Sequence, residues 1–149
     1  MHLEFCMELY RIQPKNGRYF LHEHPAYATS WQTDMVQSLM QEEGILKSTC
    51  DQCVYGCESE DGSPVKKPTS FMTNSSKLVR ELSARCGGRG GHCSRLEGGQ
   101  HRQCRGRTAR MAAILVGFRD QIKCDAVCKD GYIGMLEASM EKTECPASL

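Results

Sequence analysis

Gly17-Arg18-Tyr19-Phe20-Leu21-His22-Glu23-His24-Pro25 is the stretch that decides how the rest of the chain is read. The turn pair Asn16-Gly17 leads into a short, mostly apolar run. Such a run, bounded by turn signals, fits a buried strand of a parallel sheet over residues 18–22. It closes on a carboxylate, an imidazole and a proline. Ligands of open α/β sheets bind beyond the carboxyl ends of the strands, so Glu23 is expected at the mouth of a site.

Upstream, Leu3, Cys6, Met7 and Tyr10 form one helical stripe over residues 2–13, and Phe5, Leu9 and Ile12 widen it. Pro14 is expected to end this helix. Its broad stripe predicts a helix covered on much of its surface, and a chain starting on such a helix suggests a preceding segment. Downstream, Thr29 and Gln32 have capping-box spacing. Met35, Val36, Leu39 and Met40 then give a second helix, Gly44 a left-handed cap, and residues 45–49 a second strand. This alternation predicts a crossover unit with parallel pairing. Residues 58–68 read as a polar loop and Phe71–Thr73 as a short strand. Ser75 or Ser76 then caps a helix carrying Leu78, Val79 and Leu82, stopped by Gly87-Gly88.

With 149 residues, 40% of them hydrophobic, the chain makes one domain or a piece of one. The longest apolar run, Met111 to Val116, is far short of a membrane span. Glu4 and Glu8 interrupt the apolar pattern of the N-terminus, which therefore does not read as a signal peptide. Ten cysteines without an export signal imply reduced thiols in an intracellular, not a secreted, protein. Most are expected to fill the core, with metal binding the next role.

Residues 86–106 change character. Glycines, arginines and three cysteines crowd a segment with almost no apolar side chains. Such a composition cannot order itself by burial; it needs a metal, a polyanion or disorder. Cys86, Cys93, His101 and Cys104 supply four soft donors of the kind zinc takes, although the gaps between them are longer than in standard structural sites. Cys50, Cys53 and Cys57 are alternative donors and His92 a substitute, with Cys53 expected to pack within a turn. Seven arginines, at 85, 89, 95, 102, 105, 107 and 110, suit a phosphate backbone as well as they suit a solvated loop. No aromatic residue lies in 86–110, which argues against base stacking there. From Arg107 a helix is expected to resume through Met111, Ile114, Phe118 and Ile122. Cys124 and Cys128 then lie one helical turn apart, and a last helix is expected over 132–140.

Glu23-His24-Pro25, followed by Asp51-Gln52-Cys53-Val54-Tyr55-Gly56, Lys67-Pro68-Thr69 and Thr73-Asn74, resembles the second half of the cytosine-C5 DNA methyltransferase fold. The likeness is strongest to a methylase-like domain of retroelement-type polyproteins in protist genomes, where the 17–25 stretch and a tryptophan matching Trp31 recur. It covers roughly residues 2–120. The resemblance implies a partial three-layer, Rossmann-like α/β half with a mostly parallel sheet, in which Glu23 would hold a flipped base. It also implies a thiolate in a Pro-Cys loop and a glycine-rich pocket for the methyl donor S-adenosylmethionine. Neither precedes Glu23 here, and Cys6 lies on a helical stripe, so the donor would bind only if a missing N-terminal half were supplied. Near Ala113-Ile114 the chain lacks a short insert that relatives carry.

These readings divide the chain into a methyltransferase-like α/β fragment (1–85), a basic Gly/Cys/His-rich loop (86–106) and a helical tail (107–149). The preferred function is a non-catalytic fragment of a mobile-element methylase-like domain, contacting DNA or RNA and joined to the remainder of a polyprotein. A nuclear location would follow from DNA contact, and no membrane role is expected. Glu23 is the base-contacting acid in that reading. His24, Trp31, Arg89, Arg95, Arg102, Arg105 and Arg107 are its nucleic-acid-binding residues. The rivals are a zinc-stabilised nucleic-acid-binding module centred on 86–110 and a degenerate reading frame without function.

Overall fold

The computed structural model describes residues 2–102. One longer helix, two short helices and three strands follow one another as α1 (His2–Lys15), β1 (Leu21–Pro25), α2 (Asp34–Met40), β2 (Leu46–Asp51), β3 (Pro68–Thr73) and α3 (Ser76–Glu81). A 3-10 turn over Thr29–Gln32 precedes α2, and another over Gln52–Tyr55 follows β2. The expected helix from 107, the Cys124–Cys128 pair and the last helix over 132–140 lie outside the described residues, as does the Ala113-Ile114 position.

The sheet has the order β1-β3-β2, with β3 antiparallel to both neighbours. The mostly parallel, Rossmann-like sheet expected from the sequence is therefore overturned; the class is a mixed one of helices and a small antiparallel sheet. The physical reason lies in β3. Its last five residues are all buried, so it takes the central position and needs a partner on each side. The crossover from β1 through α2 to β2 does exist, and those two strands run the same way because both oppose β3. They simply do not pair.

The strand limits shift accordingly. β1 begins at Leu21 rather than Arg18, and Glu23 lies at its centre, opposite Phe71, on an edge strand. It is not the tip of an interior strand. The Thr29–Gln32 capping box is also replaced. Those residues form the 3-10 turn, and Thr33 becomes the extended residue before α2, its hydroxyl donating to the Ser30 carbonyl. Ser75 does cap α3, accepting from the Leu78 amide. That helix ends at Glu81, before Gly87. α1 runs through Pro14 to Lys15 and turns at Gly17, whose φ of 67° is left-handed.

Alternation along the strands separates two cores. Met72 faces α1 and α2 and packs with Cys6, Met7, Tyr10, Phe20, Trp31, Val36 and Leu39. Leu21, Cys50 and Phe71 face the other way, against Leu78 and Leu82. Phe5 and Ile12 stay exposed on α1, so the broad stripe is only partly covered among the described residues. Asn74 ties the chain into the sheet: its Oδ1 accepts from the Phe20 amide at 3.0 Å and its Nδ2 donates to the Arg18 carbonyl at 2.9 Å. The Thr73 hydroxyl donates to the Phe20 carbonyl at 2.5 Å and accepts from the Ser75 amide.

His22, 8% exposed, faces the larger core. Its Nδ1 meets the Tyr10 hydroxyl at 3.4 Å, its ring meets Trp31 edge-on at 5.3 Å, and its Nε2 has no hydrogen-bond partner among the described residues. Burial, helped by nearby His24, lowers its pKa to about 4. Burial, with a smaller effect of Cys6, pushes Tyr10 up to about 12. The unfolded chain takes up a proton on His22 near its ordinary value, whereas the folded chain resists until about 4. The stabilising preference for neutral His22 is complete above its unfolded value and is lost as pH falls toward about 4. It amounts to roughly 3 kcal/mol across that window. Thermal denaturation followed against pH should show this loss in the native chain. His22→Phe, which keeps a ring in place, should remove that part of the dependence.

Candidate metal centre

The chain from 86 to 102 has almost no apolar side chains, yet it is folded. Its backbone forms a narrow hairpin: His92 bridges Gln100, the Cys93 amide donates to the Gly99 carbonyl at 2.8 Å, and the His101 amide donates to the Gly91 carbonyl at 2.7 Å. The Gly98 amide returns to the Arg95 carbonyl and closes the tip, where Leu96 is fully exposed. Gly88 is required at the base, because a Cβ there would lie 1.9 Å from the His92 carbonyl oxygen.

The hairpin carries Cys93 and His101 to Cys86, and all three meet Cys53 from the 3-10 turn after β2. The donor atoms of Cys53, Cys86, Cys93 and His101 all lie within 4.8 Å of one another. Cys86 Sγ stands 3.8 Å from Cys93 Sγ and 3.5 Å from His101 Nε2. An S–S separation of that size is far outside a disulfide bond, which is about 2.05 Å long. The three cysteines are buried and His101 half-buried. This cluster could hold a metal ion.

Three of the expected donors are thus brought together with one of the alternatives. Cys86, Cys93 and His101 converge, Cys53 joins them from its turn, and Cys104 lies outside the described residues. His92 is exposed on the hairpin. The sequence offered Cys53 only as one of three alternative donors, with Cys50 and Cys57. Spacing could not supply it, because Cys53 precedes Cys86 by an entire strand and helix.

The thiols share their protons unequally. Burial raises Cys86, but hydrogen bonds from the Ser94 hydroxyl, the Ser94 amide and the Gly88 amide outweigh it and bring its pKa down to about 6. Burial, followed by hydrogen bonds with Cys93 and Cys86, pushes Cys53 well above the usual thiol range. A thiol with a lowered pKa is the more readily available as the thiolate that metal binding requires.

Asp51 joins the hairpin to the sheet. It is 1% exposed, and its Oδ2 accepts from the Cys86 amide at 2.9 Å and from Arg85 Nε at 3.0 Å. The Asp51 amide donates to the Ala84 carbonyl. Gln52, also buried, donates through Nε2 to the Thr69 hydroxyl at 2.8 Å. Two more clamps use arginine. Arg95 pairs with Glu58 and donates to the Gly98 and Gly62 carbonyls, and Arg102 pairs with Asp61 while its amide donates to the Pro64 carbonyl. Hydrogen bonds from Ser59, Arg102 and Ser63 hold the Asp61 carboxyl well below the usual range.

The other expected site residues that the structure describes lie on the hairpin, on β1 and in the larger core. Arg95 and Arg102 serve the hairpin's own ion pairs; Arg89 is exposed; Arg105 and Arg107 lie outside the described residues. Trp31 is 4% exposed, with its Nε1 donating to the Pro25 carbonyl and Lys47 Nζ 4.2 Å from its ring centre, so it is a core residue and not the rim of a pocket. His24 is half-buried, 6.4 Å from Trp31 between ring centres. Glu23 is exposed at its outer edge. The surrounding sheet still raises its carboxyl pKa, and Lys67 and His24 oppose the rise. No helix of the described residues is long and apolar enough to cross a membrane.

No protein-family model, no curated protein and no solved structure matches this chain. Outer partners of a metal ligand commonly tune affinity by about 10- to 100-fold. Asp51→Ala removes the acceptor of the Cys86 amide and should weaken metal binding by that order. Competition with a chromophoric chelator measures it.

Proposed function

We propose that this chain is a zinc-organised binding module for nucleic acid and not a catalyst. The observation that carries the zinc is the geometry of the four donors. A tetrahedral ion with Zn–S of about 2.3 Å and Zn–N of about 2.0–2.1 Å spaces its sulfurs roughly 3.8 Å apart. The same tetrahedron sets sulfur and nitrogen roughly 3.5 Å apart. Cys86, Cys93 and His101 stand at 3.8 Å and 3.5 Å. Three thiolates and one imidazole fill a tetrahedron with protein ligands and leave no open position for a substrate, which is the pattern of structural zinc. Such an ion supplies ordering free energy to a hairpin that buries almost nothing of its own.

The nucleic-acid side of the reading rests on charge. Arg89 lies on the hairpin and Arg85 directly precedes it, and the arginines at 105, 107 and 110 follow it in the sequence. Arg95 and Arg102 are spent on Glu58 and Asp61, so the hairpin itself is a poorer phosphate track than its composition suggested.

Native mass spectrometry of the purified chain should find one zinc ion. Cys53→Ser and Cys86→Ser should each abolish it, and Cys104→Ser should keep it. Retention of zinc in Cys53→Ser together with its loss in Cys104→Ser would return the site to the donor set read from spacing alone.

A further inference from the structure

Four chain segments end side by side at one rim of the sheet. β1 leaves at Pro25, and the Ala26 amide donates to the Pro68 carbonyl at 3.0 Å, fixing the turn that carries Tyr27 beside the start of β3. The Lys67 carbonyl accepts from the Gln52 amide at 3.1 Å, and the Asp51 amide donates to the Ala84 carbonyl at 3.1 Å. Tyr27, Lys67, Asp51 and Arg85 are thereby brought to the same rim from distant parts of the sequence. Arg85 lies close enough to Tyr27 for the two side chains to interact electrostatically. Arg85 is itself oriented by Asp51, and its side chain is half exposed.

Tyr27 is 84% exposed. A tyrosine left in water at a turn, beside a guanidinium, presents an accessible flat face. An aromatic face flanked by Arg85 and Lys67 offers both contacts a single strand requires: a surface on which a base can stack and cations for the neighbouring phosphates. Duplex nucleic acid hides its base faces and gains nothing from the ring. Arg85 directly precedes the ligand Cys86, so metal binding at Cys86 also fixes this rim.

We propose that Tyr27, Arg85 and Lys67 form a contact site for single-stranded nucleic acid, with Tyr27 as the stacking platform. The proposal rests on the zinc-organised reading above and names the strand form and the surface that reading leaves open. Glu23, close to Lys67, limits the positive charge at one end of the patch.

The test uses the full chain and fluorescence anisotropy with labelled oligo(dT) and oligo(U) of roughly 12 nucleotides, within the span of single-strand sites. A duplex of the same length and a poly-glutamate chain serve as the other arms. Saturable binding to the single strands is expected, weakening as salt rises. Tyr27→Ala should weaken it about tenfold, while Tyr27→Phe keeps most of the affinity because the ring remains. At so exposed a position neither substitution disturbs the fold. Equal affinity in Tyr27→Ala, absent saturation, or equally tight binding of duplex or poly-glutamate would overturn the proposal. The zinc content of the same samples separates the two readings: zinc present without strand binding removes this inference alone, and zinc absent removes the metal.

Discussion

Burial of β3 on both faces is the constraint from which the described structure follows. Its side chains point alternately to Met72's core beneath α1 and α2 and to Phe71's core beneath α3. A strand buried in this way must have its backbone hydrogen bonds satisfied on both edges. β1 and β2 therefore flank it, and the β1–α2–β2 crossover is split around it. The same placement sends the end of β2, with Asp51 and Cys53, to the side where the hairpin of residues 86–102 can reach it.

The hairpin solves a different problem. The sheet and helices are held by apolar burial, but the 86–102 segment has too few apolar residues to fold by that route. It uses directed interactions instead: three carboxylate–arginine pairs, a backbone ladder and the cluster of thiols and imidazole. Arg85–Asp51 differs from the other two pairs, because Asp51 is buried and also receives the Cys86 amide. The clustered donors are thus attached to the sheet by a hydrogen bond in a low-dielectric setting, where such bonds are strongest. Glu58 and Asp61 are exposed partners, whose pairs with Arg95 and Arg102 are worth little individually.

The residues that carry the methylase resemblance have ordinary structural work in this fold. Gln52 and Thr69 hydrogen-bond to each other, and Thr73 and Asn74 fasten the segment leading into β1. Glu23 sits on an edge strand of an antiparallel sheet, opposite Phe71. This is a different setting from the carboxyl end of a parallel strand, where the fold implied by the resemblance would place it.

The sequence by itself determined the local elements: the apolar period of α1, the Ser75 cap, the glycine turns at 17 and 44, and a segment after residue 85 too poor in apolar residues to order itself by burial. It also marked three of the four clustered donors, Cys86, Cys93 and His101. Each of these depends on neighbours within a few residues or on composition. Only the tertiary structure decided the pairing partner of β1, the approach of Cys53 to Cys86, Cys93 and His101, and the capture of Arg95 and Arg102 by acidic residues. Those contacts join positions tens of residues apart. They are fixed by which strand wins the buried centre of the sheet, a competition between whole faces that no local pattern records.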